Sequence, residues 1–172
     1  LRDGGVWDTL CLGPTAGTDY LTAVSATREV LPGWPVSFSY PSGDNTYGPG
    51  STAIADIDGD GHVDVVSGSG ICGKTEEEYG FPGRRCFTVY AFDATGSVKP
   101  GFPKSTPGPG PAMGVTPAVA DLDGDGLKEV VWIDFYGNVL VWTIPGIPGP
   151  EVSQWPMYRQ NPALTGTLPP RS

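Results

Sequence analysis

Residues 56–64 read DIDGDGHVD, and sixty-five positions later residues 121–129 read DLDGDGLKE. Each stretch sets carboxylates at its positions 1, 3, 5 and 9 and glycines at positions 4 and 6. Acids crowded this closely repel one another. A hard cation that takes about six to eight oxygen ligands at about 2.3–2.6 Å turns that repulsion into coordination. Glycine reaches positive φ without a Cβ penalty, so the chain can curl around the ion. A ligand set made of oxygens suits calcium, whereas zinc prefers Cys and His. Two solvated Asp-Gly turns would leave the same letters without an ion. The recurrence of the pattern in matching surroundings favours the ion.

An EF-hand loop requires a bidentate Glu at position 12 and a helix on each side. Position 12 is Ser67 in the first stretch and Trp132 in the second. The first stretch is flanked by Ala53-Ile54-Ala55 and by Val63, Val65 and Val66, the second by Ala118-Val119-Ala120 and by Val130-Val131-Trp132-Ile133. Short β-branched runs bounded by Gly and Pro predict strands. The acidic loops are therefore expected between strands, which argues against an EF-hand.

The elements that must position these loops follow from composition and repetition. The chain has 172 residues, enough for one domain with a core. Its 26 Gly and 19 Pro exceed a quarter of the residues, but 18 aromatics and regular Val/Ile pairs lie between them. That mixture predicts many tight turns rather than disorder. Net charge is −9, and 8 of the 19 acids lie in the two loops, leaving 11 acids against 10 bases. No basic patch points to nucleic acid. No apolar run approaches the roughly 18 residues of a membrane span. The chain starts at Leu1 without a visible signal peptide, which points to a mature product or a fragment.

A shift of 68 residues lays LTAVSATREVLPGWP (21–35) on VYAFDATGSVKPGFP (89–103), identical at seven of fifteen positions. Ala23/Ala91, Val30/Val98, Pro32/Pro100 and Gly33/Gly101 are among them, and Trp34 falls on Phe102. One unit reads aromatic-Pro, strand, acidic loop, strand, turn, strand, turn. A weaker echo sets GVWDTL (5–10) on GHVDVV (61–66), which makes Asp3-Gly4-Gly5 a shortened remnant of an acidic loop. The chain divides into a degenerate partial repeat at 1–32, a first repeat at 33–100, a second at 101–150 and a Pro-rich C-terminal capping tail at 151–172. The first repeat carries an insertion at 70–86, at a join that the second makes through Tyr136-Gly137-Asn138. Insertions at repeat tips often lie on a binding face. Cys72 and Cys86 bracket this insertion. A disulfide between them would suit an oxidising compartment, and two free thiols in a reduced protein are the alternative. Cys11 is left over, either buried or open to an intermolecular bond. Trp7, Trp34, Trp132, Trp142 and Trp155 are expected as core or seam residues.

The stretches AIADIDGDGHVDVV and AVADLDGDGLKEVV, the strands VYAFDATG and FYGNVLVW, and the linkers PGWP and PGFP resemble the FG-GAP repeats of integrin-α-like β-propellers. The resemblance covers about residues 20–145. It implies four-stranded blades with Ca2+ held in a DxDxDGxxD loop between strands, hence two Ca2+ sites in this chain. The ligands implied for the first are the side chains of Asp56, Asp58, Asp60 and Asp64 with the His62 carbonyl. Those for the second are Asp121, Asp123, Asp125 and Glu129 with the Leu127 carbonyl. Glu129 departs from the usual Asp at position 9, and the FG and GAP letters themselves are poorly kept. Propellers typically have about four to eight blades. The expected fold is therefore all-β, made of tandem propeller blades, two clear and one degenerate, that do not close a ring alone. Open sheet edges would then be covered by other protein chains.

No enzyme is expected. Catalysis needs a nucleophile or an acid/base group with a positioned partner. The single histidine, His62, lies inside a metal loop, and the carboxylates outside the loops are scattered. The expectation is an extracellular, calcium-stabilised β-repeat module with a structural, adhesion or protein-interaction role, within a larger assembly such as a surface filament. Its partners would be other protein chains and a cell-surface or glycan ligand, not nucleic acid, with no direct membrane span. The alternative is a non-catalytic C-terminal propeller fragment of a secreted hydrolase or polysaccharide lyase.

Overall fold

Short runs of Val, Ile, Ala and aromatic residues, punctuated by Gly and Pro, favour extended pairing over helix. The computed structural model describes residues 10–15, 18–25, 27–39, 52–69, 88–105, 115–133, 137–149 and 153–157. Among these the chain is all-β and contains no helix, so none is long and apolar enough to cross a membrane. The strands are β1 (Leu10–Thr15), β2 (Thr18–Thr22), β3 (Val36–Ser39), β4 (Ala53–Ala55), β5 (Asp64–Ser69), β6 (Thr88–Phe92), β7 (Lys104–Ser105), β8 (Ala118–Ala120), β9 (Lys128–Ile133), β10 (Val139–Ile144) and β11 (Ser153–Trp155). They form three antiparallel sheets of order β1-β2-β3, β11-β4-β5-β6-β7 and β10-β9-β8, none of them closed.

The five-stranded sheet is the middle layer. Successive side chains of a strand point to opposite faces. Val66 pairs with Ala53 on one side and Ala91 on the other. This face meets Val119, Val130, Trp132 and Ile144 of the β8–β10 sheet. The opposite face carries Val65 opposite Phe92, and it meets Leu21, Ala23 and Trp34. A sheet covered on both faces has no solvent side, so β4 is buried throughout and β6 nearly so. β10, in an outer layer, alternates between exposed and half-buried residues from Val139 to Thr143 and ends on the buried Ile144.

The correspondence at 68 residues extends to the backbone. The Leu31 N–H donates to the Ala23 carbonyl, and Lys99 does the same to Ala91, both at 2.9 Å. Isolated bridges join Val24 to Val30 and Phe92 to Val98. The left-handed residue of each turn is Arg28 in one copy and Gly96 in the other. The turns also touch each other. A Cβ on Gly33 would fall on the Thr95 carbonyl, and the Trp34 indole N–H donates to the Ala94 carbonyl at 3.2 Å. Glycine at position 33 thus permits a backbone-to-backbone approach that no other residue allows.

Residues 153–155, in the segment expected as a capping tail, pair antiparallel with β4. The Val119 N–H then donates to the Pro156 carbonyl at 2.9 Å, so the segment touches both the middle sheet and the β8–β10 sheet. Of the five tryptophans, Trp34 and Trp132 are buried and Trp142 packs half-buried against the core. Trp7, Asp3-Gly4-Gly5, the Cys72–Cys86 insertion and residues 158–172 lie outside the described residues.

Among the described residues Trp132 is the largest fully buried side chain, and a Cβ on Gly68 would overlap the six-membered ring of its indole. Gly68→Ala is therefore expected to cost about 1–3 kcal/mol through overpacking. In urea unfolding the cost should shrink when Trp132→Leu is present, because the two changes share one space. Strict additivity of the two would mean that the glycine does not hold the indole.

Candidate metal centre

Each acidic stretch forms the tip of a β-hairpin. Ala55 pairs with Asp64, and Ala120 pairs with Glu129, so position 9 is the first rung of the returning strand. That rung anchors the loop from within. The Asp64 Oδ2 accepts the Ile57 N–H at 3.2 Å, and the Glu129 Oε2 accepts the Leu122 N–H at 2.8 Å. Position 1 holds the rest. Asp56 accepts the N–H groups of Gly59, Asp60 and Gly61 at 2.7, 3.1 and 2.8 Å. Asp121 accepts those of Gly124 and Gly126 at 2.7 and 2.9 Å. Charge-assisted bonds of this kind are roughly twice as strong as neutral ones, which explains an Asp where the strand ends and glycines where the loop turns back.

The wiring draws three carboxylates together in each loop: Asp56, Asp58 and Asp64 in one, Asp121, Asp123 and Glu129 in the other. Within each group one oxygen per residue lies within 4.8 Å of the others. Such clusters could hold a metal ion. Asp60 and Asp125 are not in these groups. Their Oδ1 atoms accept the His62 and Leu127 N–H groups, both at 2.8 Å. His62 is exposed and Leu127 half-buried. Cys72 and Cys86 lie outside the described residues.

The two loops differ in what meets their charge. In the second loop Glu129 is buried at 4% exposure, and its Oε1 has no hydrogen-bond partner. A buried, unpartnered carboxylate oxygen is costly unless a cation faces it, so this donor set fits a metal ion. In the first loop a cation is already present. The Lys99 Nζ lies 2.6 Å from Asp58 Oδ2, 3.1 Å from Asp64 Oδ1 and 3.6 Å from Asp60 Oδ2. Burial works against the charge on Lys99, but its bond to Asp58 and its attraction to Asp64 prevail and hold its pKa above the usual lysine value. Burial also pushes the Asp64 carboxyl up to about 7, with Lys99 pulling it back.

One segment touches both loops. The Ile147 N–H donates to the Asp58 carbonyl at 2.8 Å, and the Gly149 N–H to the Gly126 carbonyl at 3.3 Å. A Cβ on Gly59 would fall on the Ile147 carbonyl. Gly146, Ile147 and Gly149 therefore line the space between the loops together with Asp58, Gly59 and Lys128.

Lys99 was not among the expected site residues. It lies far from the loop in sequence and reaches it only through the hairpin. The one signal was a departure from the repeat, since Lys99 falls on Leu31 beside the shared Pro32 and Pro100. No family model, curated protein or solved structure matches the chain.

If hydrogen bonding to Asp56 holds the first loop, Asp56→Ala should cost about 2–4 kcal/mol in urea unfolding with chelator present, because three N–H groups lose a charged acceptor. Asp60→Ala leaves one exposed N–H without its acceptor and removes a long, exposed contact with Lys99, and a cost under about 1 kcal/mol is expected. Equal costs would show that the loop does not depend on position 1.

Proposed function

We propose that this chain is an extracellular, calcium-stabilised β-repeat module of the FG-GAP type, non-catalytic, with a structural, adhesive or protein-interaction role inside a larger assembly. The observation that carries it is the shared architecture of the two acidic loops. Each sits at a hairpin tip between short strands, each uses position 1 to bind its own backbone, and each gathers three carboxylates. An all-oxygen donor set on a loop suits Ca2+ better than Mg2+, which demands a smaller octahedral cage and keeps its waters. In this reading each sheet is one blade of a propeller, and other chains or other parts of the protein supply the remaining blades.

The assembly part is supported by the outer sheet. β10 is its edge strand, and Val139, Val141 and the neighbouring Ile133 expose 60, 49 and 46% of their surface. Exposed apolar edge strands invite pairing or cover by another chain.

Two measurements test these statements. Thermal unfolding in millimolar Ca2+ should exceed that in EDTA. With calcium about 100-fold above Kd the gain is about 2.7 kcal/mol, roughly 5–10 °C for a chain of this size. Mg2+ should restore little of it, and identical curves in all three conditions would remove calcium from the proposal. Light scattering in Ca2+ should give a particle larger than the 18.0 kDa chain. A monomer at every concentration would remove self-assembly and leave a partner of different sequence.

A further inference from the structure

We propose that the two acidic loops have divided their roles: Lys99 is a built-in cation that takes the place of a metal ion in the first loop, and the second loop alone binds the ion. This rests on the calcium reading above and deepens it. The space is the first ground. The ammonium of Lys99 lies against Asp58, Asp60 and Asp64, and Asp58 and Asp64 are two of the three residues that could hold an ion there. An ion bound at about 2.3–2.6 Å to the same oxygens would occupy the volume that the ammonium fills.

The lysine is also placed, not merely nearby. Its N–H donates to the Ala91 carbonyl at 2.9 Å, and its own carbonyl accepts the Phe102 N–H at 3.2 Å. The adjacent Val98 bridges Phe92. The residue is 8% exposed. A backbone fixed on both sides, with the side chain buried, keeps the ammonium at the carboxylates instead of in solvent.

The second loop lacks this arrangement. Among the described residues no lysine or arginine lies within ion-pair distance of Asp121, Asp123, Asp125 or Glu129. Lys128, inside the motif itself, is buried on β9 and makes no ion pair with them. The segment that follows β10, Pro145-Gly146-Ile147-Pro148-Gly149, contains no ionisable side chain. The buried Glu129 Oε1 has no hydrogen-bond partner and no lysine among the described residues faces its carboxylate, whereas in the first loop the buried Asp58 Oδ1, also without a hydrogen bond, belongs to a carboxylate whose other oxygen meets Lys99. Sequence supports the pairing of lysine with loop. In the copy whose acidic loop is reduced to Asp3-Gly4-Gly5, the residue matching Lys99 is Leu31, half-buried against the core.

The test is a calcium titration of the metal-free full chain by calorimetry, with the stoichiometry as the readout. Wild type is expected to bind one Ca2+, and Glu129→Gln to lose it or weaken it at least tenfold. Lys99→Met should bind two, and Lys99→Arg should remain at one. Since Lys99→Met could fail to fold before metal is added, amide shifts of the wild type provide an independent measure. On adding Ca2+, Leu122, Gly124 and Gly126 should move far more than Ile57, Gly59 and Gly61. Two ions in the wild type, or equal shifts in both loops, would overturn the division of roles while leaving the calcium reading intact. No binding by either wild type or Lys99→Met would overturn both.

Discussion

A strand of three residues cannot let its end drift into solvent without losing its place in the sheet. β4 and β8 are such strands, and each runs straight into an acidic loop whose position 9 is the first rung of the return. The carboxylates where each loop joins its strands are therefore pinned at the rim of the core. Asp56, Asp64 and Glu129 expose only 5, 1 and 4% of their surface. Charge held there has to be met in place, because a buried ion without a partner is among the most destabilising features a protein can carry. The loop N–H groups, Lys99 and a divalent ion are alternative answers to that one constraint.

Much of this was legible in the sequence because the relevant signals are local. The runs AIA and AVA on one side and the Val-rich returns on the other marked strands around the loops. TVYAF at 88–92 is β6, and VLVW at 139–142 lies within β10. Ser67 and Trp132, the positions where an EF-hand would need a ligand, lie in β5 and β9, which is why no EF-hand can form. The 68-residue correspondence was visible as identities, and the hydrogen bonds of the two turns follow it. Asp93 accepts from the Thr95 and Ser97 N–H groups, and the Ser25 hydroxyl accepts from the Glu29 N–H in the same way.

What the sequence hid depends on long-range placement. β11 lies about a hundred residues from β4 along the chain, and nothing in Ser153–Trp155 names its partner. The contact of Gly68 with Trp132 likewise joins two sheets, and from sequence that glycine looks like any strand end. Lys99 was hidden for another reason. A lone lysine before Pro-Gly is ordinarily a solvated turn residue, and its burial follows only once Val98 has bridged Phe92 and turned the chain back along β6. The loop it reaches was already complete as a sequence motif, so nothing in the motif called for a further member.

A repeated motif is usually taken to mean a repeated function, but the physical requirement on each copy is weaker than that. Each hairpin needs its charge neutralised, and the fold is indifferent to whether a side chain or a dissolved ion does it. A side chain supplies a single charge at no dependence on the surroundings, and it stays attached. A divalent ion supplies twice the charge and more ligand positions, but only where its concentration is high. On the proposed division of roles, with Lys99 in one loop and the unpartnered Glu129 oxygen in the other, the hairpin of the middle sheet would stay closed without a dissolved ion. The outer β8–β10 sheet, whose β10 edge is exposed and apolar, would then be the one sensitive to the ion. A chain arranged this way would retain its central layer when calcium is scarce and complete its outer surface, the surface another chain would contact, only where calcium is present.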